Sequence, residues 1–255
     1  MHARTVDWGG GARRRADGAV EGLRERRKRL LRQQLSDTAT EMFMERGFDA
    51  VRIIDVADAC GVSEKTVYNY FPTKESLVLD RWDTTSASIR TGFASVDLTP
   101  VEAAVRILDD ELDGLTSWLD RQDDPARATA AIRRFGDLIA ATPALRAHQR
   151  DVTDRLVVEA SAALAARTGL GADDPRPRIA AIALLGLWEI QFRALHRYVD
   201  GGRTPAELRT AVAEDVRRAA DLIADGLDSL ATAPAADRVS RGRAEARHGT
   251  DAVHR

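Results

Sequence analysis

Five of the eight prolines in this chain directly follow a residue suited to capping a helix: Thr99-Pro100, Asp124-Pro125, Thr142-Pro143, Asp174-Pro175 and Thr204-Pro205. A Thr or Asp side chain accepts from the free N–H groups of a first helical turn, and proline at the first helical position forfeits no hydrogen bond. Glu102 and Glu207, three residues after Thr99 and Thr204, complete capping boxes. These marks open helices near 100, 125, 143, 175 and 205, while Gly169-Leu170-Gly171 and Gly201-Gly202 close two of them. Upstream, Leu31, Leu35, Ala39, Met42 and Phe43 form a stripe of helical period that stops at Gly47. Shorter helices are predicted at 53–60 and 63–69, with a longer one from about Lys74. No stretch alternates as a strand does. The expected fold is all-α, with about nine helices, three short at the front and longer ones behind, and no internal repeat.

With 44% hydrophobic residues the chain can bury a sizeable core, and 31% charged residues give it a soluble surface. The single cysteine, Cys60, excludes an internal disulfide or a cysteine metal cage and fits a reducing cytoplasm. It reads as a small buried residue. The histidines (His2, His148, His196, His248, His254) lack metal-ligand spacing, so no metal or cofactor is expected. Arg13-Arg14-Arg15 is not followed by the apolar core of a signal peptide. The most apolar run, Ile179 to Phe192, is short for a bilayer span and contains Glu189 and Gln191, so it reads as a buried or interfacial helix. A cytoplasmic protein with no membrane partner is expected. Residues 1–22 and 232–255 lack apolar periodicity and are expected to be disordered. Residues 1–74 hold 14 Lys/Arg against 11 Asp/Glu, while the remainder holds 24 against 29. A basic front on a mildly acidic body suits a protein that meets a polyanion with one end.

The stretch that carries chemistry is Phe48 to Leu77, FDAVRIIDVADACGVSEKTVYNYFPTKESL. Ile53, Ile54, Val56 and Ala57 give a short helix its apolar face, and Gly61 ends it. Val62 plugs the turn, Ser63 caps the next helix, and Val67 turns inward. Lys65, Thr66, Tyr68 and Asn69 are left to point outward. Two helices joined by a short Gly-containing turn, the second with a polar face, form a helix-turn-helix. Lys65 can reach a phosphate or a guanine edge, and Asn69 has the donor–acceptor pair that adenine presents. Tyr68 and Tyr70 offer hydroxyls, and Lys74 lies at a helix start, where free N–H groups also attract phosphate. Phe71 is expected in the core. The basic run Leu23 to Arg32 opens the first helix and could also follow the DNA backbone.

In these residues the chain resembles the TetR family of bacterial regulators. The family's run is an Ala-containing helix, Gly-Val-Ser, Thr-x-Tyr-x-Tyr/His-Phe and Lys-Glu-x-Leu. It is matched by Val56-Ala57, Gly61-Val62-Ser63, Thr66-Val67-Tyr68-Asn69-Tyr70-Phe71 and Lys74-Glu75-Ser76-Leu77. Two positions depart from it: Val51-Arg52 stands where a capping Thr is common, and Lys65 where a Gly is common. Arg52 is left free to meet a phosphate. The resemblance implies a helix-turn-helix domain at 24–72 and a ligand and dimerisation domain at 73–231. It also implies a two-fold dimer on double-stranded operator DNA, repression of nearby genes, and release when a small molecule binds.

The family's cavity helices would here carry Trp82, Trp118, Phe135, Trp188 and Phe192, enclosed by the 74–95, 100–120 and 126–141 helices. An apolar or aromatic effector is expected, its polar end oriented by Gln191 or His196. The helix from Thr73, beside the recognition helix, would pass the signal. For the homodimer, the 175–200 helix (with Ile179 and Ile182) and the stripe Leu208, Val212, Val216, Ala219, Ile223 and Leu227 are expected to form a four-helix interface. An enzyme is disfavoured, because no phosphate loop, nucleophile elbow or carboxylate pair stands out. A helical scaffold or small-molecule binder without specific DNA binding leaves the polar face of the second helix unexplained.

Overall fold

The proline marks coincide with five helix starts. The computed structural model describes residues 22–231, except 80, 81, 172, 200 and 201. Its helices are α1 (Leu23–Arg46), α2 (Ile53–Cys60), α3 (Glu64–Tyr70), α4 (Trp82–Ala94), α5 (Pro100–Asp120), α6 (Pro125–Ala141), α7 (Pro143–Thr168), α8 (Pro175–Tyr198) and α9 (Pro205–Ala231). No strand occurs among the described residues, and the fold is all-α as expected. Both capping boxes form. The Thr99 N–H donates to Glu102 at 2.7 Å while the Glu102 N–H donates back to Thr99 Oγ1 at 3.2 Å. Thr204 and Glu207 repeat the exchange at 2.8 and 3.3 Å. Asp124 and Asp174 accept from Arg127 N–H and Arg176 N–H at 2.9 and 3.0 Å. Thr142 departs from the pattern, for its side chain makes no capping bond. It also ends α6, and its own N–H donates back to Leu138 O.

Two expectations need correction at the level of the helices. First, α1 is long, at 24 residues, because the Arg-, Lys- and Leu-rich run from Leu23 is built of good helix formers. Second, no long helix starts at Thr73. Thr73 and Ser76 exchange side chain–backbone bonds at 3.2 and 3.3 Å, the reciprocal pattern of a helix cap. A single 3₁₀ turn, Glu75–Leu77, follows, and α4 opens only at Trp82. The run Ile179–Phe192 lies in α8, which has 24 residues and is long and apolar enough to cross a membrane by length and composition. Here α8 packs against α7 and α9 as a core helix. It ends on Val199, and Gly201 lies outside the described residues.

The helices bury three apolar clusters. At the front, Leu35, Ala39 and Phe43 of α1 meet Val56 and Ala57 of α2, Val67 of α3, and Phe71, Leu77 and Val78. Ile139 of α6 and Leu145 of α7 belong to the same cluster, so the α6–α7 corner closes the core of the front helices. The middle cluster joins α4, α5, α7, α8 and α9 through Ile89, Leu108, Leu164, Leu184 and Val216. The far cluster joins α5, α6, α8 and α9 through Leu112, Leu115, Ile132, Ala194 and Val212.

This packing corrects the expected dimer stripe. Leu208, Val212 and Val216 are 3, 0 and 2% exposed, turned into the core of their own chain. Burying such a side chain is worth about 1.5–3 kcal/mol, so they are not free for a partner. Ala219 and Ile223 are half-buried and pack on the middle cluster. The Leu227 side chain lies outside the described residues. Ile179 and Ile182 do point outward, at 61 and 47% exposure, as does Leu222 of α9 at 84%.

Candidate nucleic-acid interface and effector cleft

The two short front helices are set by their ends. Gly61 closes α2 at φ +67°, a left-handed conformation costly for any residue with a Cβ. The following Val62 N–H donates to Ala57 O at 3.0 Å. Ser63 Oγ then accepts from the Thr66 N–H at 3.1 Å and lies 2.8 Å from Thr66 Oγ1. Val67 is fully buried, which leaves Lys65, Tyr68 and Asn69 exposed on the opposite face and Thr66 and Tyr70 half-buried at its edges. Phe71 is in the core, at 1% exposure. Cys60 is partly buried against the same cluster.

At the start of α2, Asp55 supplies the cap that Arg52 lacks. Its carboxylate accepts from the Arg52 backbone N–H at 2.8 Å and from the guanidinium at 3.2 Å. The backbone N–H of Arg52, then its side chain, hold the Asp55 carboxyl below the usual carboxylate range. The Arg52 side chain stays exposed.

Two cations near this face serve the fold itself. Lys74 turns back into the protein: its ammonium donates to Phe48 O at 2.5 Å and lies 4.4 Å from the Phe48 ring centroid and 5.4 Å from that of Phe43. It is therefore not extended toward solvent as its place after Thr73 suggested. Arg32, which sequence reasoning left within a basic run, donates to Tyr70 O at 2.8 Å and lies 4.6 Å from the centroid of Phe71. It fastens α1 to the C-terminus of α3. Arg24, Arg26, Arg27 and Lys28 are exposed on the first turns of α1.

Behind the front helices an open cleft runs among α1, α5, α6, α7 and α8. Trp118, Phe135, Trp188, Gln191, Phe192 and His196 all line it, so the structure brings six of the seven expected effector residues to one space. The side chain of the seventh, Trp82, lies outside the described residues. Phe135 and Phe192 also pack on the front cluster. His196 lies against α6, with Nε2 2.9 Å from Asp137 Oδ1. The two helices approach there because Gly136 has no side chain: a Cβ would stand 2.7 Å from His196 Cδ2.

Sequence reasoning missed Glu111 in the same cleft. It interrupts the apolar stripe Leu108, Leu112 and Leu115 of α5, and a carboxylate in such a stripe was the available signal. Thr85 Oγ1 donates to one carboxylate oxygen at 2.8 Å, and Trp188 Nε1–H to the other at 3.1 Å. Burial pushes the Glu111 carboxyl up to about 7 despite these two bonds, and the charge of Asp110 adds to the rise.

A polar-faced second helix on a capped helix-turn-helix, carried by a larger helical body, defines a helix-turn-helix DNA-binding protein. Residues 35–80 match the family described as bacterial regulatory proteins, tetR family. The HTH-type transcriptional regulator TcmR of Streptomyces glaucescens is 28% identical over 172 residues, spanning 62% of this chain and 69% of TcmR. The HTH-type transcriptional repressor KstR2 of Rhodococcus jostii is 30% identical over 108 residues, which are 34% of this chain and 52% of KstR2. Among solved structures, a tetR-family transcriptional regulator from Streptomyces coelicolor aligns at 20% identity and a TM-score of 0.38, over 89% of this chain and all of that one. Residues 35–80 carry the tetR-family domain, and the chain is a DNA-binding transcriptional regulator.

Proposed function

We propose that this regulator works in the cytoplasm as a homodimer. It reads a palindromic operator in double-stranded DNA through α3 and releases it when a small molecule occupies the cleft beneath α6. The observation that carries this reading is the division of α3: Val67 is fixed in the core while Lys65, Tyr68 and Asn69 stand exposed on a Ser63-capped helix. In the major groove, Lys65 and Asn69 are the base-reading pair. Arg52, Ser63, Thr66, Tyr68 and Tyr70 are the flanking contacts that position the helix. Lys74 supports the interface from within, by its bond to Phe48 O.

The chain divides, in this reading, into a DNA-reading head at 24–72 and a body at 73–231. Leu77 and Val78, buried in the core of the head, form the joint. The exposed Ile179, Ile182 and Leu222 on α8 and α9 form the centre of a two-fold interface, where the same patch meets its copy. The cleft measures about 3140 Å³, above the roughly 300–1,000 Å³ of pockets for drug-sized ligands, so an effector fills only part of it. Trp118, Trp188, Gln191 and His196 are proposed to line that part, with Phe135 and Phe192 facing the head. KstR2, one of the relatives, is by name a repressor, which supports repression as the mode of action.

Selection from random double-stranded DNA tests the reading. The full chain should enrich a palindrome with half-sites about one helical turn apart and bind it in the nanomolar range at physiological salt. Enrichment of no palindrome, or a monomer by light scattering at micromolar concentration, refutes it.

A further inference from the structure

We propose that the effector of this cleft is a cationic amphiphile, an amine whose ammonium pairs with Glu111 while its apolar body lies along Leu112, Leu115 and Trp188. The inference rests on the reading of the cleft as the effector site and adds the chemical class of the ligand.

Much of the lining that Glu111 shares is apolar, although the cleft also holds arginines such as Arg134 and Arg150. Leu112, Leu115, Ile107, Leu185 and Trp188 line the cleft with it. Its hydrogen bonds come from one hydroxyl and one indole N–H, neither of which carries charge. Among the described residues no Lys, Arg or His forms a salt bridge with it, although such bridges are common elsewhere on the body. The charge that bears on it is Asp110, of the same sign. A carboxylate so placed is costly to ionise, and its protonation equilibrium is drawn upward accordingly. An ammonium entering the cleft supplies the missing counter-ion where water screens least. At the position of Glu111 a ligand acid meets this carboxyl and Asp110 instead. A neutral ligand gains only the apolar contacts.

The test uses the full chain and three ligands on one aromatic body: 2-(1-naphthyl)ethylamine, 2-(1-naphthyl)ethanol and 1-naphthylacetate, titrated calorimetrically at pH 8. The amine should bind at least ten-fold tighter than the alcohol, with the acetate weakest. Glu111→Gln should weaken amine binding about ten-fold, to the level of the alcohol, and leave the alcohol unchanged. Glu111→Asp, which keeps the charge, should retain part of the preference. Equal binding of amine and alcohol, an amine preference that survives Glu111→Gln, or no binding of any of the three overturns the proposal. Operator release, followed in parallel by fluorescence anisotropy, separates the two levels. An alcohol or acid that binds best and releases DNA leaves the effector cleft standing and removes the amine. An amine that pairs with Glu111 without releasing DNA does the reverse.

Discussion

Replacing Glu111 by glutamine should stabilise this protein at pH 8 and have almost no effect at pH 4.5. The carboxyl titrates near 4.5 when unfolded and is held up at about 7 in the fold, chiefly by burial. A carboxyl whose folded pKa is raised favours folding in its protonated form. That contribution is complete below about 4.5 and is lost as the pH rises through about 7. At about 1.36 kcal/mol for each pH unit between the two values, the ionised group costs on the order of 3 kcal/mol above pH 7. Glutamine keeps the shape, accepts the Trp188 N–H, can bond to Thr85, and does not ionise. The stability difference between the variant and the wild type should therefore grow from near zero to about 3 kcal/mol across this window. For a chain of this size that is a rise in Tm of roughly 6–12 °C. His148 is also shifted by burial. Burial lowers its pKa from 6.5, so its contribution is lost as the pH falls, the opposite direction. It is unchanged by the substitution and cancels in the difference. Urea denaturation of both proteins by circular dichroism at pH 5, 6, 7 and 8, at one protein concentration, measures the curve. A difference that is flat with pH, or a glutamine variant less stable at pH 8, refutes the placement of this acid.

Four further substitutions separate the roles assigned above. Lys65→Ala should cost about 1–3 kcal/mol of operator affinity by fluorescence anisotropy and relax preference at one base position, with the urea midpoint unchanged. Lys74→Met should do the opposite, lowering stability by about 1–3 kcal/mol through loss of the bond to Phe48 O while leaving the salt dependence of DNA binding intact. Gly61→Ala, at φ +67°, should destabilise the fold by about 1–2 kcal/mol in the same melt. Ile182→Asp places a charge on the exposed apolar face of α8 and should shift sedimentation toward monomer and weaken operator binding together.

The helix starts were legible because their signals are local. Thr99 and Glu102, or Ser63 and Thr66, meet within one turn, and no distant residue overrides them. The division of α3 was legible for the same reason, since Val67 alone can face inward once Ser63 and Gly61 fix its ends. What failed depended on distant partners or on competing turns. Lys74 seemed free at a helix start, but the chain brings it to the ring and carbonyl of Phe48, 26 residues earlier in sequence. The Thr73–Ser76 exchange has the form of a helix start, yet only a single 3₁₀ turn follows it. The stripe of α9 has the period of an interface and the period of a core, and periodicity does not distinguish them. Only the position of α5 and α8 shows that Leu208 and Val212 are already covered. Glu111 could be seen as a misplaced charge in an apolar stripe, but its two donors come from residues 26 and 77 positions away.

The join between head and body bears on how a ligand could move a DNA-reading helix. The expected route was one continuous helix from Thr73 past Trp82, and the chain instead breaks between the 3₁₀ turn and α4. Contact between the two parts runs through the α6–α7 corner, where Ile139 and Leu145 complete the core that also holds Val67 and Phe71. Ser36 of α1 adds a bond to Leu77 O at 2.8 Å. Phe135 and Phe192 face both ways, lining the cleft and packing on that same core. A ligand that takes their place in the cleft acts directly on the packing behind α3, with no need of a long lever. It shifts the equilibrium only by the difference in its affinity for the two arrangements, typically about 1–3 kcal/mol. Rearranging a few side chains in a close-packed corner is enough to supply a difference of that size, because a well-packed core resists even small changes in volume. The α6–α7 corner, rather than the segment after Thr73, is thus the element on which a change in the cleft and a change in the head must agree.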